Sequence, residues 1–453
     1  TMKRRDFLTN TALLGAGIPL GMSSAVMTSC TQQQSAGTAA KSYSPEELGM
    51  FSFVEVAPDG KPLKAALVGC GDRGTGAATQ FLKSGPNVSI IALADLFPDR
   101  MATCRKVLSE QFKNEVPDAN CFLGFDAYQK VLAMNDIDVV LLCTPTHFRP
   151  EQFKAAVEAG KHIFMEKPCA VDPTGIRTVI AAAKVATSKG LTVVTGNQRR
   201  HRRDYWEAYV QVKNGLIGDV VSSSAHWDQG AWWNKRKRPE WSDMEYCIRN
   251  WFNIKWLSGD HLLDQAIHMV TWFMEDRPIR AVGFGGRAQR LTGDIYDFFS
   301  VDYYYNNNKR MLATARQIDG CDGNVSEQVY GTKGMASLND RGEIKIVDYN
   351  GNTLWEYDYQ NKPVKNPYDQ EHVHFVESIR LDKKINQAEA LAYSTQVAIL
   401  GREAAYTGKP ISWDEIMAST LRYGPEKYEM GALPDYKEGE APKPGKAPDA
   451  PVM

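Results

Sequence analysis

The fold is determined by the stretch Leu63-Lys64-Ala65-Ala66-Leu67-Val68-Gly69-Cys70-Gly71-Asp72-Arg73-Gly74. Its first six residues form a short apolar run that is typical of a buried strand, and the rest is a G-x-G-x-x-G turn. In such a turn the first glycine allows a tight bend, the second lets the backbone approach a pyrophosphate, and the third lets helix and strand pack closely. The stretch therefore predicts a dinucleotide site contacted by Gly69, Gly71, Arg73 and Gly74.

The residues that follow keep the register of a dinucleotide-binding unit. Residues 75–84 are predicted to form a helix, and residues 88–94 a second strand that ends at Asp95. In this fold a carboxylate about 20 residues beyond the last glycine binds the ribose hydroxyls of the cofactor, and Asp95 stands there. Because a carboxylate repels a 2′-phosphate, Asp95 favours NAD over NADP, although the nearby Arg100 weakens the distinction.

Alternating helices and strands continue to about residue 198. The strand at 138–143 is apolar along almost its whole length, which is typical of a parallel sheet covered by helices on both faces. Further helices are expected at 101–110, 151–159 and 173–188, and further strands at 162–165 and 192–195. We therefore predict a doubly wound α/β (Rossmann) dinucleotide-binding domain over residues 63–198.

Two motifs stand at strand ends, where ligands bind in such sheets. They are Thr144-Pro145-Thr146-His147 and Glu166-Lys167-Pro168. Together with the glycine turn they resemble the Gfo/Idh/MocA oxidoreductase family, whose members include glucose-fructose oxidoreductase and inositol dehydrogenase. The resemblance covers roughly residues 63–420. It implies that the cofactor is contacted by Thr144, His147, Glu166, Lys167 and Asn197.

The second half of the chain is rich in strand patterns and hairpin turns. Strands are expected at 220–227, 279–286, 298–305, 311–317, 325–330, 343–348 and 353–357, and helices at 371–380 and 387–406. The resemblance implies a second, α+β domain with a large, open, mainly antiparallel sheet, and a homo-oligomer (dimer or tetramer). We place this domain at residues 199–420. Residues 421–453 form the C-terminal tail. Its part from Pro434 is rich in Pro, Lys and Glu and is expected to be disordered or draped over the surface.

The catalytic signature of the family in this half is D-x-x-x-H on a helix, and it is matched by Asp264 and His268. These residues are four apart and share one helix face. With Lys167 they correspond to the catalytic trio of the family. Their chemistry suits the oxidation of a secondary alcohol, because a histidine can take the hydroxyl proton and a lysine can stabilise charge on the oxygen. Either Lys167 or His268 could be the base, and Asp264 could orient His268 or bind the substrate.

The residues around this signature allow a second interpretation. His261, Asp264, His268 and a further acidic residue could form a metal site. We favour the hypothesis without a metal, in which His261 contacts the substrate and Asp260 caps the helix.

A basic run, Arg199-Arg200-His201-Arg202-Arg203, follows the last strand of the first domain. Arg199 matches a segment that the family places near the nicotinamide or the substrate, so we predict a substrate contact there. The run as a whole is predicted to form a solvated face or a contact between subunits.

Eight of the ten tryptophans lie between Trp206 and Trp272. Aromatic rings cover the flat C–H faces of sugars while polar neighbours bind the hydroxyls. We therefore expect a small-molecule carbohydrate substrate and predict that Trp232, Trp233 and Arg249 contact it. The remaining tryptophans are expected in the core or at subunit contacts.

The first 30 residues have the layout of an export signal, since Lys3-Arg4-Arg5-Asp6-Phe7-Leu8 precedes a short apolar run. The paired arginines resemble a bacterial twin-arginine signal. Met27-Thr28-Ser29-Cys30 resembles a lipobox, which predicts lipidation at Cys30, with simple cleavage nearby as the alternative. Residues 31–62 would then be tether and lead-in. The expected location is the periplasm or cell envelope, with membrane contact only through the signal or the lipid.

Composition narrows the classes of function. The chain has 453 residues, 43% of them hydrophobic, and a net charge of -1. It can bury a large core, it lacks the basic excess that non-specific nucleic-acid binding uses, and it does not fit a multi-span membrane protein. Three hypotheses remain: an exported oxidoreductase that keeps NAD bound, an NAD-dependent glycosidase that works by transient oxidation and elimination, and a non-catalytic sugar-binding protein.

Overall fold

The computed structural model describes residues 42–339 and 342–445. The predicted export signal and Cys30 lie outside these residues. Within them, no helix combines the length and the apolar character needed to cross a membrane. The described part of the chain is organised by two sheets, one parallel and one mostly antiparallel.

The first sheet lies in the amino-terminal half. Its strands are β1 (Leu63–Val68), β2 (Val88–Asp95), β3 (Cys121–Leu123), β4 (Val139–Leu142), β5 (His162–Met165) and β6 (Val193–Thr195), and its helices are α1 (Asp72–Lys83), α2 (Pro98–Phe112), α3 (Ala127–Leu132), α4 (Arg149–Glu158) and α5 (Pro173–Ser188). All neighbouring strands are parallel, in the order β3-β2-β1-β4-β5-β6. The order reverses between β1 and β4, which opens a crevice at their carboxyl ends.

The apolar strands explain why this sheet is covered on both faces. Alternate side chains of a strand point to opposite faces, and here both faces meet apolar clusters. Ala66 and Val140 join one cluster, whereas Leu67 and Leu141 join the other. The predicted Rossmann domain is therefore confirmed.

Two of the differences between the predicted and observed elements of this domain have a clear physical reason. Helix α1 begins at Asp72, inside the glycine motif, because Gly71 takes the N-cap position. Strand β3 and helix α3 were not predicted, since β3 has three residues and is too short to show an alternation.

The second sheet lies in the carboxyl-terminal half. Its strands are β7 (Val220–Gln229), β8 (Arg280–Gly286), β9 (Phe298–Tyr304), β10 (Arg310–Gln317), β11 (Asn324–Gly331), β12 (Gly334–Asn339), β13 (Lys345–Asp348), β14 (Thr353–Glu356) and β15 (Ile411–Ser412). Their order is β14-β13-β12-β11-β7-β10-β9-β8-β15. Strands β7 and β10 pair in parallel, and the other neighbours among the described strands are antiparallel. This confirms the predicted open, mainly antiparallel sheet.

Seven helices follow β6 in the described chain. They are α6 (Arg203–Lys213), α7 (Asp243–Arg249), α8 (Lys255–Ser258), α9 (Leu262–Met274), α10 (Pro367–Arg380), α11 (Ala388–Thr407) and α12 (Trp413–Ala418). Helix α9 packs on β7, β10 and β11, where Ile267 shares an apolar cluster with Ala225 and Ala313. Because almost all of α9 is buried, its polar side chains at Asp264 and His268 are enclosed by protein.

Two segments depart from the predicted domain organisation. Helix α10 packs on α1 and β6, and its Phe375 joins an apolar cluster of the first sheet. Residues 42–57, expected to belong to a tether, instead pack on the folded body. Phe51 stacks on His201 and His374, with ring centroids 4.9 and 4.1 Å away.

Residues 421–445, which we call the C-terminal strap, are draped over both domains. The backbone N–H of Tyr423 donates to Asp172 of the first domain at 2.9 Å. At the other end, the hydroxyl of Tyr296, from the second domain, donates to the carbonyl of Pro442 at 2.8 Å. Of the two expectations for the tail, the draped one is correct for these residues.

Stability should fall in mild acid because five histidines are buried: His201, His261, His268, His372 and His374. Burial lowers the pKa of each below its ordinary value. Unfolding then takes up protons, so the stabilisation is complete above pH ~6.5 and is lost as the pH falls below that value. Each such histidine contributes a slope of up to ~1.4 kcal/mol per pH unit.

Urea unfolding at pH 7, 6 and 5 measures this slope. Asp260 and Glu371 act in the opposite direction, because burial raises the pKa of their carboxyls. His372→Leu is the matched variant, since neither ring nitrogen of His372 has a hydrogen-bond partner. It should flatten the slope, and a wild-type midpoint that stays constant from pH 7 to 5 would contradict the expectation.

Candidate active site

The glycine motif forms a backbone cradle that side chains would fill. Gly69 has φ +96°, and a Cβ built there would lie 2.8 Å from the backbone of Cys143 and Thr144, after β4. A Cβ at Gly74 would lie 1.8 Å from the carbonyl oxygen of Gly69. Only glycine fits at these two positions, so the first turn of α1 approaches the β1 loop closely and its backbone N–H groups stay accessible, as a pyrophosphate site requires.

A cavity opens beside the cradle. Its wall includes Asp95 and Arg100. The Asp95 carboxylate accepts the N–H groups of Cys70 at 2.6 Å and Phe97 at 2.8 Å, and each oxygen keeps a lone pair for a ribose hydroxyl. These residues fit a dinucleotide. Because a carboxylate and a guanidinium both line the wall, they leave NAD and NADP undistinguished.

Of the other predicted cofactor residues, some line the cavity and others are held by neighbouring side chains. Thr144 lines the cavity and donates to Gln152 at 2.6 Å. Arg73 pairs with Glu166 and, at 3.0 Å, with Glu371, so its guanidinium is held by protein carboxylates.

His147 is held by the C-terminal strap. Its Nε2 lies 2.7 Å from the hydroxyl of Tyr428, and its ring meets Trp256 edge-on at 5.0 Å. Burial lowers the pKa of His147 to about 4, so the ring is neutral.

A second group of polar side chains forms where β5 meets α9. The Lys167 ammonium donates to Gln265 and lies 3.6 Å from the Asp264 carboxylate. Burial lowers the pKa of Lys167, and the Asp264 charge opposes that shift. Residues 261, 264, 265 and 268 stand at helical spacing on one face, which explains why the structure brings Lys167, Asp264 and His268 together as predicted.

His268 is oriented by backbone, not by the Asp264 carboxylate. Its Nδ1 lies 3.1 Å from the carbonyl oxygen of Asp264. A carbonyl only accepts, so Nδ1 carries the hydrogen and Nε2 holds a lone pair. Burial, together with the charges of Arg199 and Lys167, lowers the pKa of His268 far below its ordinary value, which keeps the ring neutral.

Four buried polar atoms of this group have no hydrogen-bond partner: Asn197 Oδ1, His261 Nδ1, Asp264 Oδ2 and His268 Nε2. A buried polar atom without a partner costs about 1–3 kcal/mol. Most buried polar atoms in native proteins are paired, so a cluster of exceptions points to a bound ligand. All four belong to residues predicted to contact cofactor or substrate.

The hypothesis of a metal site is not supported within residues 42–339 and 342–445, where no three His, Cys, Asp or Glu side chains are placed to hold an ion. His261 instead packs between Trp251 and Phe252, at ring distances of 5.9 and 4.8 Å. Asp260 does not cap α9. Its carboxylate accepts the N–H of Tyr296 at 2.9 Å and the hydroxyl of Tyr406 at 2.5 Å.

The basic run after β6 is not a solvated face. Arg199 is buried, pairs with Glu327, and donates to the carbonyl of Gln265 at 3.0 Å. Arg200 donates to the carbonyl of His268 at 2.7 Å. Both arginines therefore anchor the polar face of α9, and the predicted contact of Arg199 with the substrate stays a prediction.

Arg249 is also placed away from its predicted role. It forms a bidentate pair with Asp99 of α2 at 2.9 and 3.0 Å and lies over the Phe97 ring at 3.9 Å. Its third contact is Glu245 at 2.8 Å. With this guanidinium fully engaged, Arg249 joins the second domain to the loop after β2.

The predicted tryptophans form a row that leads toward the polar group. Trp232 and Trp233 are 37% and 43% exposed, and both rings pack on Phe252, at 5.0 and 5.6 Å. Phe252 meets the buried His261. The row thus connects the surface with α9, next to the catalytic face.

Sequence reasoning missed three residues of the site. Gln265 holds Lys167, and its place beside Asp264 in the helical signature was an available signal. Arg149 is buried and donates to the carbonyl of Pro168 at 2.5 Å, which supports the loop that carries Lys167. Tyr428 stands far along the chain in a Pro-rich tail, and no motif marks it.

Comparisons with known proteins agree with this geometry. Residues 63–195 match the model of the Gfo/Idh/MocA oxidoreductase family, NAD-binding Rossmann fold. A glycosyl hydrolase family 109 protein of Shewanella amazonensis is 24% identical over 216 residues, which are 48% of this chain and 45% of that protein. The chain thus spans less than half the length of this curated relative.

Two further similarities cover more of the chain. An uncharacterised oxidoreductase of Bacillus subtilis is 24% identical over 331 residues, 70% of this chain and 87% of that protein. A levoglucosan dehydrogenase, solved with NADH and levoglucosan, superposes with a TM-score of 0.62 at 17% identity, covering 78% of this chain and 99% of its own. The structural likeness shows a shared fold.

Gly74→Ala should damage the cradle, because its Cβ would meet the carbonyl oxygen of Gly69, which cannot move away. We expect a cost of about 1–3 kcal/mol in the free energy of unfolding and a large loss of NAD affinity. Titration with NAD by calorimetry, together with urea unfolding, measures both. Gly76→Ala on the same helix is the control, since its Cβ meets only the end of the Arg73 side chain at 3.2 Å. Equal NAD affinity in the two variants would contradict the cradle.

Proposed function

We propose, starting from the match of residues 63–195 to the model of the Gfo/Idh/MocA oxidoreductase family, that this chain oxidises a secondary alcohol of a carbohydrate with tightly held NAD. The substrate class is a sugar, sugar acid, cyclitol or glycoside. The observation that carries the proposal is the set of unpartnered buried atoms of His261, Asp264 and His268, which lie near Lys167. Lys167 follows β5, a strand of the same sheet that carries the glycine cradle.

The residues that would hold the dinucleotide follow from the cavity. Backbone N–H groups at Gly71 and Gly74 would bind the pyrophosphate, and Asp95 would bind the adenosine ribose. The Gly69 N–H already donates to the carbonyl of Ala94 at 2.8 Å. Thr144 would line the opposite wall. When bound, NAD would supply the hydride acceptor for the oxidation.

The proton of the alcohol would leave through the polar group on α9. The His268 Nε2 lone pair is free and buried, so it is the better acceptor and takes the base role. The Lys167 ammonium has three donors, of which Gln265 takes one, and the Asp264 carboxylate lies 3.6 Å away as an ion-pair partner. A remaining donor would bind the substrate oxygen and stabilise its developing negative charge.

The row of aromatic rings supports a carbohydrate substrate. Trp232, Trp233, Trp251 and Phe252 offer flat apolar surfaces that lead to His261. Sugars and cyclitols present flat C–H faces to such rings and leave their hydroxyls for polar neighbours. Levoglucosan, an anhydrosugar bound in a solved protein of the same fold, belongs to this chemical class.

Export would make cofactor retention necessary, because the cell envelope has no free nicotinamide pool. We propose this location from the signal predicted in residues 1–30 and the lipidation predicted at Cys30. The cofactor would then be restored within each cycle by reduction of a second carbonyl compound.

The direct test uses wild-type protein purified without added nucleotide. We expect acid release to yield nearly one NAD or NADH per chain, by chromatography and mass spectrometry. A panel of levoglucosan, glucose and myo-inositol, each with a second sugar as oxidant, should then show paired oxidation and reduction without added NAD. A pure protein that neither contains nor binds nicotinamide nucleotide would overturn the proposal.

A second candidate is an NAD-dependent glycosidase, favoured by the name of the Shewanella relative. Such an enzyme would oxidise a sugar carbon, break the glycosidic bond by elimination of the leaving group, add water across the double bond that results and return the hydride to the carbonyl carbon. Release of free sugar from p-nitrophenyl glycosides, without net NADH or reduction of a second carbonyl, would favour it. Net transfer between two sugars would favour the oxidoreductase.

Lys167→Met and His268→Gln should each lower kcat by about 10²–10⁴-fold, the usual contribution of acid–base catalysis, with bound NAD unchanged. Trp232→Ala should instead raise KM and leave kcat nearly unchanged, since it removes only a binding surface. Steady-state kinetics with a substrate from the panel separates the two effects. Lys154→Met is the control for charge removal, because Lys154 pairs only with Glu158 on the exposed side of α4. Wild-type kcat in both Lys167→Met and His268→Gln would exclude the assigned roles.

A further inference from the structure

Two segments outside the Rossmann domain reach the dinucleotide cavity. Ile248 and Trp251, which belong to the tryptophan-rich part of the second domain, contribute to its wall. Ile248 directly precedes Arg249 in the chain, and Trp251 follows it by two residues. The side chains of this segment therefore face the cofactor site as well as the aromatic row.

Arg249 fastens this segment to the adenosine side of the cavity. Its bidentate pair with Asp99 and its position over Phe97 hold α7 against the loop that follows β2. Phe97 itself lines the cavity. A bidentate guanidinium pair is directional and stronger than a simple surface contact, so α7 is held at a defined place over the cavity.

The C-terminal strap fastens the opposite side. Tyr428 packs on Phe125 and Phe148, at ring distances of 5.9 and 5.6 Å, and both phenylalanines line the cavity. Its hydroxyl lies 2.7 Å from His147. The strap thus covers the wall formed by the loops after β3 and β4.

The strap and α7 are joined to each other. The N–H of Met244 donates to the carbonyl of Gly431 at 3.0 Å, and the N–H of Leu433 donates to Asp243 at 3.1 Å. Together these contacts form a closed ring around the cavity. The ring runs from Phe148 through the C-terminal strap and α7 to Asp99, and the Rossmann domain closes it.

We infer that this ring retains the dinucleotide, with Ile248 and Trp251 as cofactor contacts and with Arg249 and Tyr428 as the two residues that keep the ring closed. The inference rests on the proposed function, since it concerns the same cofactor. Arg249 and Tyr428 are positioning residues, because they act through the wall of the cavity. Release of the dinucleotide then requires that one of these two contacts opens.

The test measures how fast bound NAD leaves the full-length protein. Release is followed by exchange with a large excess of etheno-NAD, whose fluorescence changes on binding. We expect Arg249→Ala and Tyr428→Ala each to release NAD at least tenfold faster than wild type, and purified Arg249→Ala to contain much less nucleotide.

Charge reversal separates retention from general stability. Arg249→Glu should release NAD fast, because it faces Asp99 and Glu245, and the double variant Arg249→Glu/Asp99→Arg should recover slow release. Arg249→Lys should be intermediate, since lysine keeps the charge but loses the fork. Arg310→Ala is the control, because it breaks the Arg310–Asp302 pair on the second sheet and should not change release.

The outcomes distinguish this inference from the proposed function. A wild-type protein that binds no nicotinamide nucleotide would overturn both. A wild-type protein that holds NAD, with Arg249→Ala and Tyr428→Ala releasing it at the wild-type rate, would overturn the ring alone. So would variants whose apo form melts at lower temperature without any change in the release rate.

Discussion

The close approach of two backbone segments at Gly69 and Gly74 is the constraint on which the rest of the molecule depends. A Cβ at position 74 would lie 1.8 Å from the Gly69 carbonyl oxygen, so α1 can begin only where it does. That contact places the helix N-terminus at the reversal of strand order, between β1 and β4. The cavity, the carboxylate of Asp95 and the loop that carries Lys167 all follow from the same edge of the sheet.

The second feature is the burial of charged arginine side chains, which donate hydrogen bonds to backbone carbonyls at α9 and just before it. Arg199 and Arg200 donate to carbonyls of α9, and Arg402 donates to the carbonyl of Gly259 just before it at 2.5 Å. These contacts anchor the helix from several directions. The polar face of α9 is therefore rigid, and its unpartnered atoms are held in place for a ligand at a cost that the surrounding packing compensates.

The sequence predicted the parts of this protein that depend on local pattern. The Rossmann strands, the glycine motif and the one-face spacing of Asp264 and His268 are local, and the structure brings them together. Prediction from the sequence was less successful where contacts between distant parts of the chain determine the position of a side chain. Arg199 and Arg249 carry the charge expected of substrate contacts, but Glu327 and Asp99 come from distant parts of the chain. The strap shows no periodicity, so its course depends entirely on tertiary contacts such as Tyr428 with His147.

The path of the chain restricts how the two domains can move. After β6 it enters the second domain, α10 returns it to the first sheet, and the strap crosses once more between Asp172 and Tyr296. The chain therefore connects the two domains several times. A wide hinge rotation between the domains would stretch at least one of these connections. Small sliding displacements remain compatible with all of them. Substrates would then exchange along the exposed tryptophans while the two bodies stay together.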